Sequence, residues 1–191
     1  EYGAGDDAVV LCTVARLLPV KGVDRGIRCF ARIKARLARA VYLIVGDGPQ
    51  REHLGAIANE LGLGDSGSFA GARTDPERVM NAADVVLQTT FNPLNGIVSI
   101  EGMAVGRPIV TVVDSVEEEK MAADTCDEQR NGLFFRTTQP QESTDKLYEI
   151  LVDHDRLRQM GLASRNMAEE RFDLRRHVER TQALYAELVR P

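Results

Sequence analysis

Six apolar runs up to Phe135, most of them separated by helix-like patterns, constrain the fold of this chain more than any other feature. Val9 to Val14 is a continuous, β-branched stretch that suits a buried strand. Val23, Ile27, Phe30 and Leu37 then recur at helical spacing. Val41 to Val45 reads as a second buried strand, closed by Gly46-Asp47-Gly48-Pro49. Leu54, Ile57, Ala58 and Leu61 mark a helix that stops at Gly62, and a short strand follows near Ser68 to Ala70. Pro76 suits the first turn of a helix, with Asp75 as its cap. Val85 to Leu87, Ile109 to Val113 and Gly132 to Phe135 supply the remaining strands, with a helix over Ile97 to Val105. From Gln141 onward the chain is charged and helical, with apolar stripes at Leu147, Ile150 and Leu151 and at Val178, Ala183, Leu184 and Leu188. Only residues 115–131 resist assignment, because nothing apolar and periodic anchors the run Glu117-Glu118-Glu119-Lys120.

Such alternation predicts an α/β fold: a Rossmann-like parallel sheet, right-handed crossovers, and helices on both faces. With 191 residues the chain is expected to form one domain, its C-terminal helices from about residue 141 packed on the sheet. The first residue is Glu1 rather than methionine, which predicts that the chain is cut from something longer. A net charge of −5 excludes a dedicated nucleic-acid binder. No run approaches the ~20 apolar residues that span a bilayer. Cys12, Cys29 and Cys126 show no paired spacing and fit a reduced, cytoplasmic setting. His53, His154 and His177 fall in no metal-ligand spacing.

In an open parallel sheet ligands sit outside the carboxyl ends of the strands. The first loop there carries two cations, Arg16 and Lys21, around a turn into a helix. A helix N-terminus offers free N–H groups and partial positive charge, so this loop suits an anion such as a diphosphate. On spacing alone, solvated loop charges are the simpler reading. The next loop, Gly46-Asp47-Gly48-Pro49-Gln50-Arg51, lacks the third glycine of the dinucleotide fingerprint and reads as a tight turn. After Leu87, Gly96 opens a helix on which Glu101 stands among small and apolar residues. A buried carboxylate there needs partners: a sugar's paired hydroxyls, or else Arg107 or a backbone N–H. Finally, Arg25, Arg28, Arg32, Arg36 and Arg39 fall on one helical face with no acid between them. A solvated outer face is the simpler reading, and attraction to anionic headgroups the alternative.

Taken together, the ordered segments resemble the C-terminal, donor-binding domain of retaining glycosyltransferases of the GT-B fold, the glycosyl transferases group 1 family. They are Val14-Ala15-Arg16-Leu17 with Lys21-Gly22, Val45-Gly46-Asp47-Gly48-Pro49, and Phe69-Ala70-Gly71. Ala82-Ala83-Asp84-Val85-Val86-Leu87, Ile100-Glu101-Gly102-Met103-Ala104-Val105-Gly106-Arg107-Pro108 and Asn131-Gly132-Leu133 complete the series. No single piece is specific; their order and spacing are.

The resemblance implies that Arg16 and Lys21 hold the donor diphosphate and stabilise the leaving nucleotide. It implies that Glu101 binds the ribose, that backbone near Gly71 to Arg73 meets the base, and that Asn95, Gly96, Ile97 and Val98 face the sugar and phosphates. No metal and no cofactor is implied. The donor would be a UDP- or GDP-sugar. The acceptor, a carbohydrate or glycolipid, would sit on an N-terminal domain absent from this chain, and peripheral contact with the inner face of a membrane is left open. Two positions depart from the family pattern. Pro93 stands eight residues before Glu101, where a first glutamate belongs, so either Asn92 or Asn95 substitutes or the copy is impaired. Ser115-Val116-Glu117 replaces a glycine pair. The alternatives are a catalytically degenerate nucleotide-sugar module, a dinucleotide oxidoreductase domain and an epimerase of the same fold.

Overall fold

The computed structural model, which describes residues 7–92 and 96–189, contains all six expected strands. They are β1 (Val9–Val14), β2 (Ala40–Val45), β3 (Gly67–Gly71), β4 (Val85–Gln88), β5 (Ile109–Val113) and β6 (Gly132–Arg136). Between them run α1 (Val23–Lys34), α2 (Arg51–Glu60), α3 (Pro76–Ala82), α4 (Ile97–Ala104) and α5 (Val116–Ala122). Three helices close the chain: α6 (Pro140–Val152), α7 (His154–Arg171) and α8 (Leu174–Leu188).

Every strand pair is parallel, in the order β3-β2-β1-β4-β5-β6. This is the Rossmann order, in which connections leave β1 in one direction and return to β4 on its other side. Alternate side chains of a strand leave on opposite faces. Val9 and Leu11 of β1 accordingly pack with Ile27, Phe30 and Ile33 of α1, while Val10 and Cys12 pack on the other face with Met80 of α3 and Met103 of α4. Both faces are covered, which is why the strands read as continuous apolar runs rather than as alternating ones.

One polar bridge crosses three strands within this core. The Thr13 hydroxyl donates to the Leu87 carbonyl at 2.9 Å and lies 2.7 Å from the Tyr42 hydroxyl. Thr13 has only one proton to give, so Tyr42 is the donor in the second bond. Burial pushes the Tyr42 phenol upward and keeps it protonated for that role.

Three expectations change. Asp75 sits at the N-cap of α3 but does not cap it, because Arg73 holds its carboxylate at 2.9 and 3.0 Å. The five arginines do not form one solvated helical face: α1 ends at Lys34, before Arg36 and Arg39, Arg25 is buried, and Arg36 pairs with Asp145 over the Tyr148 ring. The unassigned stretch after β5 contains α5, whose N-cap Ser115 accepts from the Glu118 N–H. Ser115 with Glu118 three residues on is a capping-box spacing, a signal that apolar periodicity does not carry. In α8 no residue is buried, and Leu174, Leu184, Tyr185 and Leu188 are exposed.

The three-strand bridge makes a stability prediction. Tyr42→Phe removes one donor and is expected to cost about 1 kcal/mol, whereas Thr13→Val strands a buried phenol and is expected to cost more, about 1–3 kcal/mol. Urea unfolding of both variants gives the order, and the reverse order would contradict the bridge.

Candidate functional site

The strand order reverses between β1 and β4, and the loops that follow these two strands part there to leave a cleft. Its main lobe, about 440 Å³, is lined by Ala15, Arg16 and Lys21 from the first loop and by Gln88, Thr90 and Asn92 from the fourth, with Gly96, Ile97 and Val98 at the start of α4. A second lobe of about 340 Å³ adjoins it through Val14, Ala15, Arg16 and Val98 and reaches Gly46, Asp47, Ala72 and Arg73. Together they fall in the size range of small-ligand sites.

The first loop is built by interlocking backbones. Ala15 N–H donates to Val45, Leu17 N–H donates to Asp47, and the Leu17 carbonyl accepts from Gln50 N–H at 3.0 Å. Leu17 is fully buried, which turns Arg16 outward to the cleft. A short 3-10 turn over Pro19–Lys21 then leads to Gly22, whose φ of +56° starts α1. A Cβ at Gly22 would lie 2.3 Å from the Thr89 carbonyl, so only glycine fits this approach. The turn after β2 is equally tight: Gly46 has φ of +133°, and a Cβ there would lie 1.8 Å from the Ala15 carbonyl. Its glycines therefore serve the contact between two loops, and Arg51, at the start of α2, stacks over the Phe69 ring.

The fourth loop is stitched to the first. The Thr89 hydroxyl donates to the Lys21 carbonyl at 2.7 Å, and Phe91 N–H donates to Val20 at 3.1 Å. Beneath it, Arg25 donates from Nε to Thr89 O at 2.7 Å and from Nη2 to Thr90 O at 2.8 Å. Helix α4 begins at Gly96, which has no side chain to cap it, and no acid occupies its first turn. An uncapped helix start facing two cations favours an anion in the main lobe.

The candidate residues separate clearly in space. Arg16, Lys21, Gly96, Ile97 and Val98 meet in the main lobe, and Arg73 lines the second lobe, its guanidinium paired with Asp75. Gly71, with φ of +71°, ends β3 and accepts from Gly46 N–H at 2.8 Å. Asn95 and Pro93 lie outside the described residues. Glu101 is exposed rather than buried, so the cost of burying its charge does not arise. It stands three residues after Val98 on α4 but lines neither lobe, while Arg107 bonds instead to Asn81. Gln88, at the end of an apolar strand and marked by no motif, spans from the Ser99 hydroxyl to Thr90 N–H beneath the helix start.

A larger cavity of about 720 Å³ lies at the opposite edge, between Arg78, Asp84, Arg107 and Arg158. It faces the amino ends of β4 and β5 and the carbonyl end of α4, where Arg165 bonds the Ala104 carbonyl. Arg165 also lines it, but Glu77 and Asp84 stand among these arginines, and the start of α7 beside it is capped by Asp153, so it lacks the acid-free, uncapped helix start of the main lobe. Among the described residues no helix is long and apolar enough to cross a membrane. Cys12, Cys29 and Cys126 are free and buried, and burial pushes the Cys12 and Cys126 thiols up to about 12.

The sequence model of the glycosyl transferases group 1 matches residues 1–167. A GDP-mannose-dependent alpha-(1-6)-phosphatidylinositol monomannoside mannosyltransferase of Mycobacterium tuberculosis is 31% identical over 174 residues, covering 86% of this chain and 44% of the relative. An N-acetyl-alpha-D-glucosaminyl L-malate synthase of Bacillus anthracis is 25% identical over 191 residues, covering 100% of this chain and 48% of its own. The chain thus spans about half the length of these relatives. The crystal structure of Anabaena HepE in complex with UDP superimposes with a TM-score of 0.82 at 22% identity, over 95% of this chain and 49% of that one. At that identity the likeness is one of fold.

The loop-to-loop contact at Gly46 can be tested directly. Gly46→Ala is expected to lose on the order of 1–3 kcal/mol from backbone strain alone. Gly55→Ala, on α2 where a Cβ meets nothing within 4 Å, is expected to gain about 0.5–1 kcal/mol. Thermal or urea unfolding should show opposite signs; equal effects would mean that the Gly46 contact is not as described.

Proposed function

We propose a function on the premise that the chain belongs to the glycosyl transferases group 1 family. Its fold is the Rossmann-like half of a GT-B enzyme. The chain is the donor-binding half of a glycosyltransferase that takes a nucleoside-diphosphate sugar and transfers the sugar with retention of configuration. The observation that carries this reading is the cleft at the switch point, where Arg16 and Lys21 face an uncapped helix start.

The chemistry follows from where charge develops. As the bond to the sugar breaks, negative charge builds on the departing diphosphate. Fixed cations and N–H dipoles already aimed at that position stabilise the transition state more than the ground state. Arg16 and Lys21 are the cations, and the N–H groups at Ile97 and Val98 supply the dipoles. Glu101 accepts from the ribose hydroxyls one helical turn further along, and backbone around Gly71 to Arg73 meets the base in the second lobe. Asn95 is our candidate for the sugar hydroxyls, because Pro93 offers neither a carboxylate nor a backbone donor. The donor is a UDP- or GDP-sugar, the acceptor a carbohydrate or glycolipid bound by another part of the whole enzyme. This chain alone binds the nucleotide and does not transfer sugar.

Pro93 favours one second reading, a nucleotide-sugar module that has lost catalysis. Turnover by the whole protein with any donor of a broad panel rejects it.

Calorimetry with UDP and GDP tests the donor site. Arg16→Ala and Lys21→Ala are each expected to weaken binding about tenfold or more, the value of a lost charge-assisted hydrogen bond. Glu101→Gln is expected to weaken a ribonucleotide far more than its 2′,3′-dideoxy counterpart. Unchanged affinities in both cation variants would overturn the diphosphate assignment, and equal losses for the two sugars would make Glu101 a structural residue.

A further inference from the structure

We propose that Arg25 and Glu118 form a positioning pair that holds the β4–α4 loop in the shape the sugar end of the donor requires. The inference rests on the donor reading above and adds two residues to it that do not line the cleft.

Arg25 lies in the first turns of α1, on the side that faces the protein interior, and is only 6% exposed. A leucine would fill that space with no charge to satisfy. Instead all three guanidinium nitrogens bond within one neighbourhood. Nε and Nη2 take the carbonyls of Thr89 and Thr90, while Nη1 lies 2.9 Å from Glu118 and 3.1 Å from Asp114. Its plane lies over the Phe91 ring, 4.1 Å from the centroid. Three consecutive residues of the loop, Thr89 to Phe91, are therefore fixed by one side chain.

Glu118 completes the hold from the other side. Its Oε2 accepts from Arg25 and from Asp114 N–H at 2.9 Å, and its Oε1 accepts from Asn92 N–H at 3.2 Å. Asn92 has φ of +51°, the one non-glycine residue with positive φ among the described residues. Asparagine visits this region more readily than most residues, and the bond from the Asn92 N–H to Glu118 ties the loop to α5 at that point, where Ser115 at the cap fixes Glu118 in turn.

A buried ion pair of this kind contributes little net stability over apolar packing, and its use is to select one geometry. The geometry selected here is that of the loop itself. Thr90 and Asn92 line the main lobe beside Arg16 and Lys21, whereas the second lobe contains neither. Loss of the pair thus affects what lies in the main lobe beyond the diphosphate, and not the base.

The experiment uses the intact protein, with UDP and GDP compared against UDP-glucose and GDP-mannose by calorimetry, and amide hydrogen exchange read at Thr90 to Asn92. The variants are Arg25→Met and Glu118→Gln; the second keeps its shape and leaves Arg25 paired with Asp114, so it reports even if Arg25→Met does not fold. The expected result is nucleoside-diphosphate affinity within about threefold of wild type and nucleotide-sugar affinity reduced about tenfold or more, about 1.4 kcal/mol. Exchange at Asn92 should rise at least about tenfold while β1 amides are unchanged. Equal losses on both ligand types, or none on either, would overturn the positioning role. If wild type binds none of the four ligands, the donor reading falls and this role with it, while unchanged exchange at Asn92 in a folded variant would show that the pair does not hold the loop at all.

Discussion

A parallel sheet with both faces buried leaves only its two ends open to solvent, and much of the rest of this molecule follows from that constraint. Helices must cover each face, so every crossover delivers one loop to the carboxyl end and one to the amino end. The carboxyl end collects Arg16, Lys21, Gly96 and Asn92 from segments distant in sequence. At the amino end the larger cavity mixes Arg78, Arg107, Arg158 and Arg165 with Glu77 and Asp84, and the start of α7 beside it is already capped by Asp153. The site is thus a consequence of topology before it is one of side chains.

The first loop and the turn after β2 are held by close backbone contact, the fourth loop by side chains beneath and beside it. Gly22 and Gly46 let loops approach within distances that any Cβ would forbid, and Thr89 and Leu17 tie neighbouring loops through main-chain carbonyls and N–H groups. Such contacts fix the two cations on a rigid floor without neutralising them. Among the described residues no carboxylate lines the main lobe, while beneath it Arg25 has two, Glu118 and Asp114. The two kinds of arginine, one for a ligand and one for the framework, differ in burial and partners and not in residue type.

That difference explains what the sequence could and could not reveal. All six strands were legible within one residue; burial on both faces writes β1, β2, β4 and β5 as β-branched apolar runs, whereas half-buried β3 and the phenylalanine-rich β6 were read from short apolar stretches. Arg16 and Lys21 were legible as candidates because they flank a turn before a helix. Arg25 was not, since helical spacing places it in line with Arg28 and Arg32 and cannot tell that α1 turns it inward. Glu118 was hidden within an acidic run whose capping role depends on Ser115, a local signal masked by the lack of apolar period. For Glu101 the error ran the other way: small apolar neighbours suggested burial, but α4 is short and its outer side faces solvent.

An anionic nucleotide is proposed to occupy the cleft at the switch point and not the larger cavity at the opposite edge. Backbone amide shifts of the labelled chain during titration with UDP, and separately with GDP, discriminate the two most directly. Binding in the cleft should shift Ala15 to Gly22, Gly71 to Arg73 and Gly96 to Val98, saturating with one affinity. Shifts confined to Gly106, Arg107 and the facing part of α7, with the first loop unmoved, would contradict it.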